Sequence, residues 1–157
     1  MVTENDFYGW GLTKWGMTED EVIQLLKPDA RKIFPPIEYR NPQRFSTVGI
    51  LDKNIGGLSC NIHFLFDENG GLNEVMIKPT DEKPVGYFES LFKFLRQKYG
   101  EPTEIIKEED SCLEDNVLWR FPSTVVELTR LDAYILEILM VTVRYYPALP
   151  SDDFSFL

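Results

Sequence analysis

Hydrophobic and polar positions along this 157-residue chain alternate in two rhythms, one of three and four residues and one of two. Thr18 and Glu21, three apart, predict a helix start by a capping box, in which the hydroxyl accepts from the Glu21 N–H and the carboxylate from the Thr18 N–H. Met17 and Val22 hold hydrophobic-staple positions, Glu19 and Asp20 place negative charge at the positive end of the helix dipole, and Pro28 stops the helix. Its apolar set, Val22, Ile23, Leu25 and Leu26, is too short to stand alone in water and has to lie on something larger. A second helix is expected after Asp81 and Pro84, with Asp81 as its cap. Val85, Phe88, Leu91, Phe92, Leu95 and Tyr99 recur at three and four, and Gly100 followed by Pro102 ends it.

The period of two predicts strands at Phe45 to Leu51, Leu58 to Asp67, Leu72 to Lys78, Val117 to Phe121, Val125 to Arg130 and Ile135 to Tyr146. Asp67-Glu68-Asn69-Gly70-Gly71 is a hairpin turn, because Asn-Gly supplies the positive φ that tight turns demand. Further turns are expected at Pro122-Ser123 and at Leu131-Asp132-Ala133. The last strand is apolar in both parities, Leu139, Val141 and Val143 against Ile138, Met140 and Thr142, which predicts burial on both sides near the sheet centre. Residues 28–44, with Pro28, Pro35, Pro36 and Pro42, read as an irregular connection, and 101–115 as a solvated loop. The fold expected is α+β in two layers: an antiparallel sheet of about six strands with two helices on one face. It forms a helix-β-β-β pseudo-repeat with units near 10–80 and 81–146 in a single domain, followed by a tail at 147–157.

Charge narrows the range of functions. A formal net charge of −10 opposes binding to nucleic acid and to anionic membranes, both of which need Lys and Arg to neutralise phosphate. The charge is uneven: residues 27–53 carry six basic groups against three acidic ones, a local +3, while residues 101–115 carry seven acidic groups against Lys107, a local −6. Cys60 and Cys112 are too few for a disulfide framework and suit a reducing compartment. The N-terminus lacks a basic region followed by an apolar one, so a soluble, cytoplasmic protein is expected.

Catalytic chemistry finds little purchase. His63 is the one histidine, and in a strand it points away from the face that holds Cys60, so the pair does not form a metal grip. Cys60 falls in the apolar register of Leu58, Ile62, Phe64 and Phe66, as inert core thiols do. The serines lack a nucleophile elbow and the glycines lack a phosphate or dinucleotide fingerprint, so no catalytic, cofactor or metal residue is assigned. The residues that suit a partner are Trp10 in the aromatic run before the first helix, Glu108, Glu109 and Asp110 in the acidic stretch, and Phe154 and Phe156 in the tail.

Several short motifs resemble one broad class. Trp-Gly-Met-Thr-x-x-Glu-Val at 15–22, Phe-Leu-Phe-Asp at 64–67 followed by Gly-Leu, Lys-Tyr-Gly-Glu-Pro at 98–102 and Trp119 are similar to small bacterial α/β domains. These are shaped like the beta-lactamase inhibitor protein and the small outer-membrane lipoprotein assembly factors. The resemblance implies a helix-plus-sheet layer used to bind proteins, and it carries no site residue across. The leading expectation is a non-enzymatic protein-binding domain, of inhibitor or immunity type, whose acidity suits a basic partner. The alternatives are a small-ligand or enzymatic function on the open sheet face around His63 and Asn61, and homodimerisation through the sheet or Phe154 to Leu157.

Overall fold

The structure is a computed structural model that describes residues 6–40, 42–109 and 113–149. Along the chain these form α1 (Glu19–Leu26), β1 (Arg31–Tyr39), β2 (Arg44–Ile55), β3 (Leu58–Phe66), β4 (Leu72–Pro79), α2 (Tyr87–Tyr99), β5 (Glu104–Glu109), β6 (Leu113–Arg120), β7 (Thr124–Ala133) and β8 (Ile138–Pro147). The expectation of a six-stranded sheet is corrected. A single antiparallel sheet of eight strands in the order β1-β2-β3-β4-β8-β7-β6-β5 dominates the molecule. Each unit is therefore a helix followed by four strands, with β4 and β8 meeting at the centre and β1 and β5 at the two edges.

The two added strands are the edge strands, which explains how they escape a reading of the sequence. Pro35 and Pro36 lack the N–H a central strand must donate, but an edge strand has one side unpaired, and the β1–β2 register shifts across this stretch. In β5, Glu104, Lys107 and Glu108 mimic a solvated loop, yet charge is how natural edges avoid pairing with other chains.

Cross-strand partners share a face, so the registers sort the side chains. Val48, Ile50, Cys60, Ile62, Phe64, Val75, Ile77, Val117, Trp119, Val126, Leu128, Val141, Val143 and Tyr145 form one buried cluster with Val22 of α1 and Phe88, Leu91 and Leu95 of α2. Both helices therefore lie on that face. The capping box at Thr18 and Glu21 is formed. Asp81 instead accepts from the Lys83 N–H at 2.9 Å in a turn, and α2 starts only after Gly86, whose φ of 84° lets the chain swing into the helix. Trp119 ties the far end of α2 down, its indole N–H donating to the Gly100 carbonyl at 2.8 Å.

Strand β8 corrects a second expectation, because only one parity, Val141, Val143 and Tyr145, is buried, while Ile138 and Met140 are exposed. Its seam with β4 is short: three residue pairs, Val75↔Tyr145, Met76↔Arg144 and Ile77↔Val143. The β7–β8 hairpin is longer, ten pairs from Thr124↔Pro147 to Ala133↔Ile138. Its turn falls at Tyr134–Leu136, a 3-10 turn, a few residues beyond the expected Leu131 to Ala133. No helix among the described residues is long and apolar enough to cross a membrane.

Candidate functional site

Opposite the helices no helix covers the sheet among the described residues, and its strands mix polar side chains with buried Leu65, Met76, Leu118 and Val125. Glu74 of β4 lies at the centre of this open face with 1% of its surface exposed. A buried carboxylate needs cationic partners, and Glu74 has two. Arg44 of β2 pairs with one carboxylate oxygen. Arg144 of β8 donates through Nε to Oε2 at 2.7 Å and through Nη2 to Oε1 at 3.3 Å. The pairing continues into the second unit, where Arg144 Nη1 reaches Glu127 Oε1 at 3.5 Å and the Tyr146 hydroxyl donates to the same oxygen at 3.0 Å. Burial, and then the Glu127 charge, push the Tyr146 phenol up to about 12, so it stays a donor at neutral pH. On the first unit's side Lys78 donates to the Tyr39 hydroxyl at 3.1 Å.

Beside this network lies a groove of about 420 Å³. Met76, Leu131 and Met140 give it an apolar floor. Tyr39, Lys78 and Arg144 line one wall, and Glu114, Asn116, Glu127, Thr129 and Thr142 the other. The walls brace themselves: Thr129 donates to Asn116 Oδ1 at 2.9 Å, and Asn116 Nδ2 donates to Glu114 at 3.2 Å. A volume of this order is within the range of small-molecule sites, although its lining is more polar than most.

Acidic groups outnumber basic ones on the second unit's part of the open face. In the second unit Glu104 and Glu108 of β5 lie across from Leu118 and Glu114, so these carboxylates share the face with Glu127. Arg120 offsets Glu104 at 3.1 Å. The first unit presents Arg44 and Lys78 there. Of the acidic stretch at 101–115, Glu104, Glu108 and Glu114 thus come together on this surface, whereas of the basic stretch at 27–53 it holds Arg44, which is buried against Glu74.

Of the residues expected to meet a partner, Glu108 lies exposed on the acidic side. Glu109 sits in β5 opposite Leu113, with its side chain outside the description. Asp110, Phe154 and Phe156 fall outside the described residues. Trp10 is on the other face, half-buried against the core with its ring edge-on to Phe64 at 5.9 Å. His63 is on the open face with Nδ1 3.3 Å from the Ser46 hydroxyl, but it does not line the groove. Burial, reinforced by Lys78, holds its imidazole below the usual value. Asn61 accepts from the Asp52 N–H at 3.0 Å, so its side chain is engaged in the backbone. Cys60 is in the core on the opposite face, its thiol pushed up to about 11 by burial.

The residues that build the site, Arg44, Glu74 and Arg144, left a signal in the sequence. Glu74 stands close to Leu72 and Val75, and Arg144 between Val143 and Tyr145, each a charge within an apolar strand. Such charges are buried only when paired. Compared with known proteins, the chain matches no family model, no curated protein and no solved structure.

Proposed function

We propose that this chain is a non-enzymatic protein-binding domain, of inhibitor or immunity type, that engages a basic partner in the cytoplasm through the open face of its sheet. The observation that carries the reading is the acidic side of that face, where Glu104, Glu108, Glu114 and Glu127 gather on adjacent strands. Complementary charge of this kind steers a partner in and fixes its orientation. The ion pairs suit the same role: Glu74 and Glu127 both hold Arg144, which fixes these side chains on the surface. The likeness of the short motifs to small bacterial inhibitor-type domains is in keeping with this, as an analogy of fold alone.

The test is retention of a partner from the native host on the immobilised chain at low and at high salt, repeated with Glu108→Lys/Glu114→Lys. A partner held at low salt, weakened by high salt and lost by the double variant is the expected result. A partner indifferent to both salt and charge reversal, or turnover on a substrate screen, rejects it.

The groove itself favours a second reading, a small-ligand site floored by Met76, Leu131 and Met140. A compound that raises the melting temperature of the natural chain but not of Thr129→Trp, which fills the groove, would establish it.

A further inference from the structure

The turn between β7 and β8 presents three consecutive large apolar side chains to water: Tyr134 is 60% exposed, Ile135 77% and Leu136 69%. Single exposed apolar residues are ordinary, but contiguous ones mark contact surfaces. This group is contiguous with more. Behind the turn Ile138 and Met140 are also exposed, and Met140 pairs with Leu131, so an apolar strip runs from the tip back to the groove floor.

The fold does not require this. At the equivalent place in the first unit, β3 and β4 are joined by Asp67–Gly71, a turn made of polar residues and glycine. The tip is also held by its own backbone, Glu137 adopting φ 55° and its N–H donating to the Tyr134 carbonyl at 3.1 Å.

The surroundings of the tip select the kind of surface it meets. Asp132 and Glu137 flank it in sequence, and Glu114 pairs with Leu131 just behind it. The nearest cation of β7, Arg130, is already bound by Asp115 at 2.6 Å and Glu89 at 3.0 Å. An acidic collar around an apolar knob is repelled by anionic lipid and by the same collar on a second copy. We infer that the β7–β8 tip inserts Ile135 and Leu136 into an apolar pocket of a partner protein whose rim carries Lys and Arg. The inference rests on the protein-binding reading and names the element that makes the central contact. Aromatic and aliphatic anchors that fill a pocket inside a polar rim carry most of the energy of such interfaces.

The test is site-specific photo-crosslinking of the full chain in its native host, with p-benzoylphenylalanine placed at Ile135, at Thr129 in the groove, or at Asn69 in the polar turn. The expected result is an adduct from position 135 to another protein, at a peptide flanked by Lys or Arg, with none from position 69. Ile135→Ser/Leu136→Ser should then weaken retention of that protein by roughly tenfold or more. Adducts from position 129 alone overturn the tip assignment and leave the protein-binding reading standing. Silence at all three positions overturns both. An adduct to a second copy, or association of the chain with phosphatidylcholine or phosphatidylglycerol vesicles that the double variant abolishes, overturns the choice of partner.

Discussion

Between β3 and β4 the chain turns through Asp67–Gly71, and between β7 and β8, at the equivalent place in the second unit, it turns through Tyr134–Glu137. The first turn is tied down. Asp67 Oδ1 accepts from the backbone N–H groups of Asn69 and Gly71, each at 3.0 Å, and the β4 side is stitched to the segment before α1, with Leu72 N–H donating to the Met17 carbonyl at 2.7 Å and Gly16 N–H to Leu72 at 2.9 Å. Gly71 approaches Gly16 so closely that a Cβ there would sit 3.2 Å from the Gly16 Cα. The second turn leaves its side chains in water. One topology thus accepts two opposite solutions, one of which leaves large apolar side chains exposed.

The largest test of this contrast addresses what joins the two hairpins. Glu74 of β4 grips Arg144 of β8 as well as Arg44, so Glu74→Ala leaves two cations without their buried partner. A loss of about 3–5 kcal/mol in urea unfolding is expected. Next comes the polar turn itself: Asp67→Ala removes two hydrogen bonds and should cost about 1 kcal/mol in the same measurement.

A smaller effect separates the hairpins by pH. His63 of β3 is the sole histidine, and its depressed value means the unfolded chain binds the proton more readily. Its contribution is whole above the unfolded value of 6.5 and is lost as pH falls through the lower folded value. Stability measured by urea unfolding should therefore decline from pH 7 to about pH 5, and His63→Gln should flatten that decline. The smallest effect is the most telling. Ile135→Ser/Leu136→Ser should shift unfolding by no more than about 0.5 kcal/mol, since both side chains are largely exposed. A loss of several kcal/mol would mean the tip does serve the fold after all.

What the sequence disclosed follows from where the physics is local. The capping box at Thr18 and Glu21, the Gly100 stop and the Asn69-Gly70 turn are short-range signals, and each is present in the structure. Edge strands are not local in this sense. β1 and β5 are strands because a neighbour offers them a ladder, and prolines or charges that would break a central strand are tolerated there. The site was less legible still. Glu74 and Arg144 lie 70 residues apart, and only the β4–β8 seam brings them together. Glu108 was readable as a surface acid, but its place beside Glu114 depends on the β5–β6 register. Trp10 shows the reverse: an aromatic residue that suits an interface is used for packing on Phe64.

The three-pair seam also gives the sheet a mechanical weak line. A pull across the strands loads every ladder in series, and each opens one pair at a time like a zipper. The seam has three pairs to lose where the β7–β8 ladder has ten, so separation begins between β4 and β8, with the Glu74–Arg144 ion pair as its latch. Across that line the helix-face core and the segment before α1, through Trp15 to Thr124 and Gly16 to Leu72, are what still hold the two four-stranded halves together.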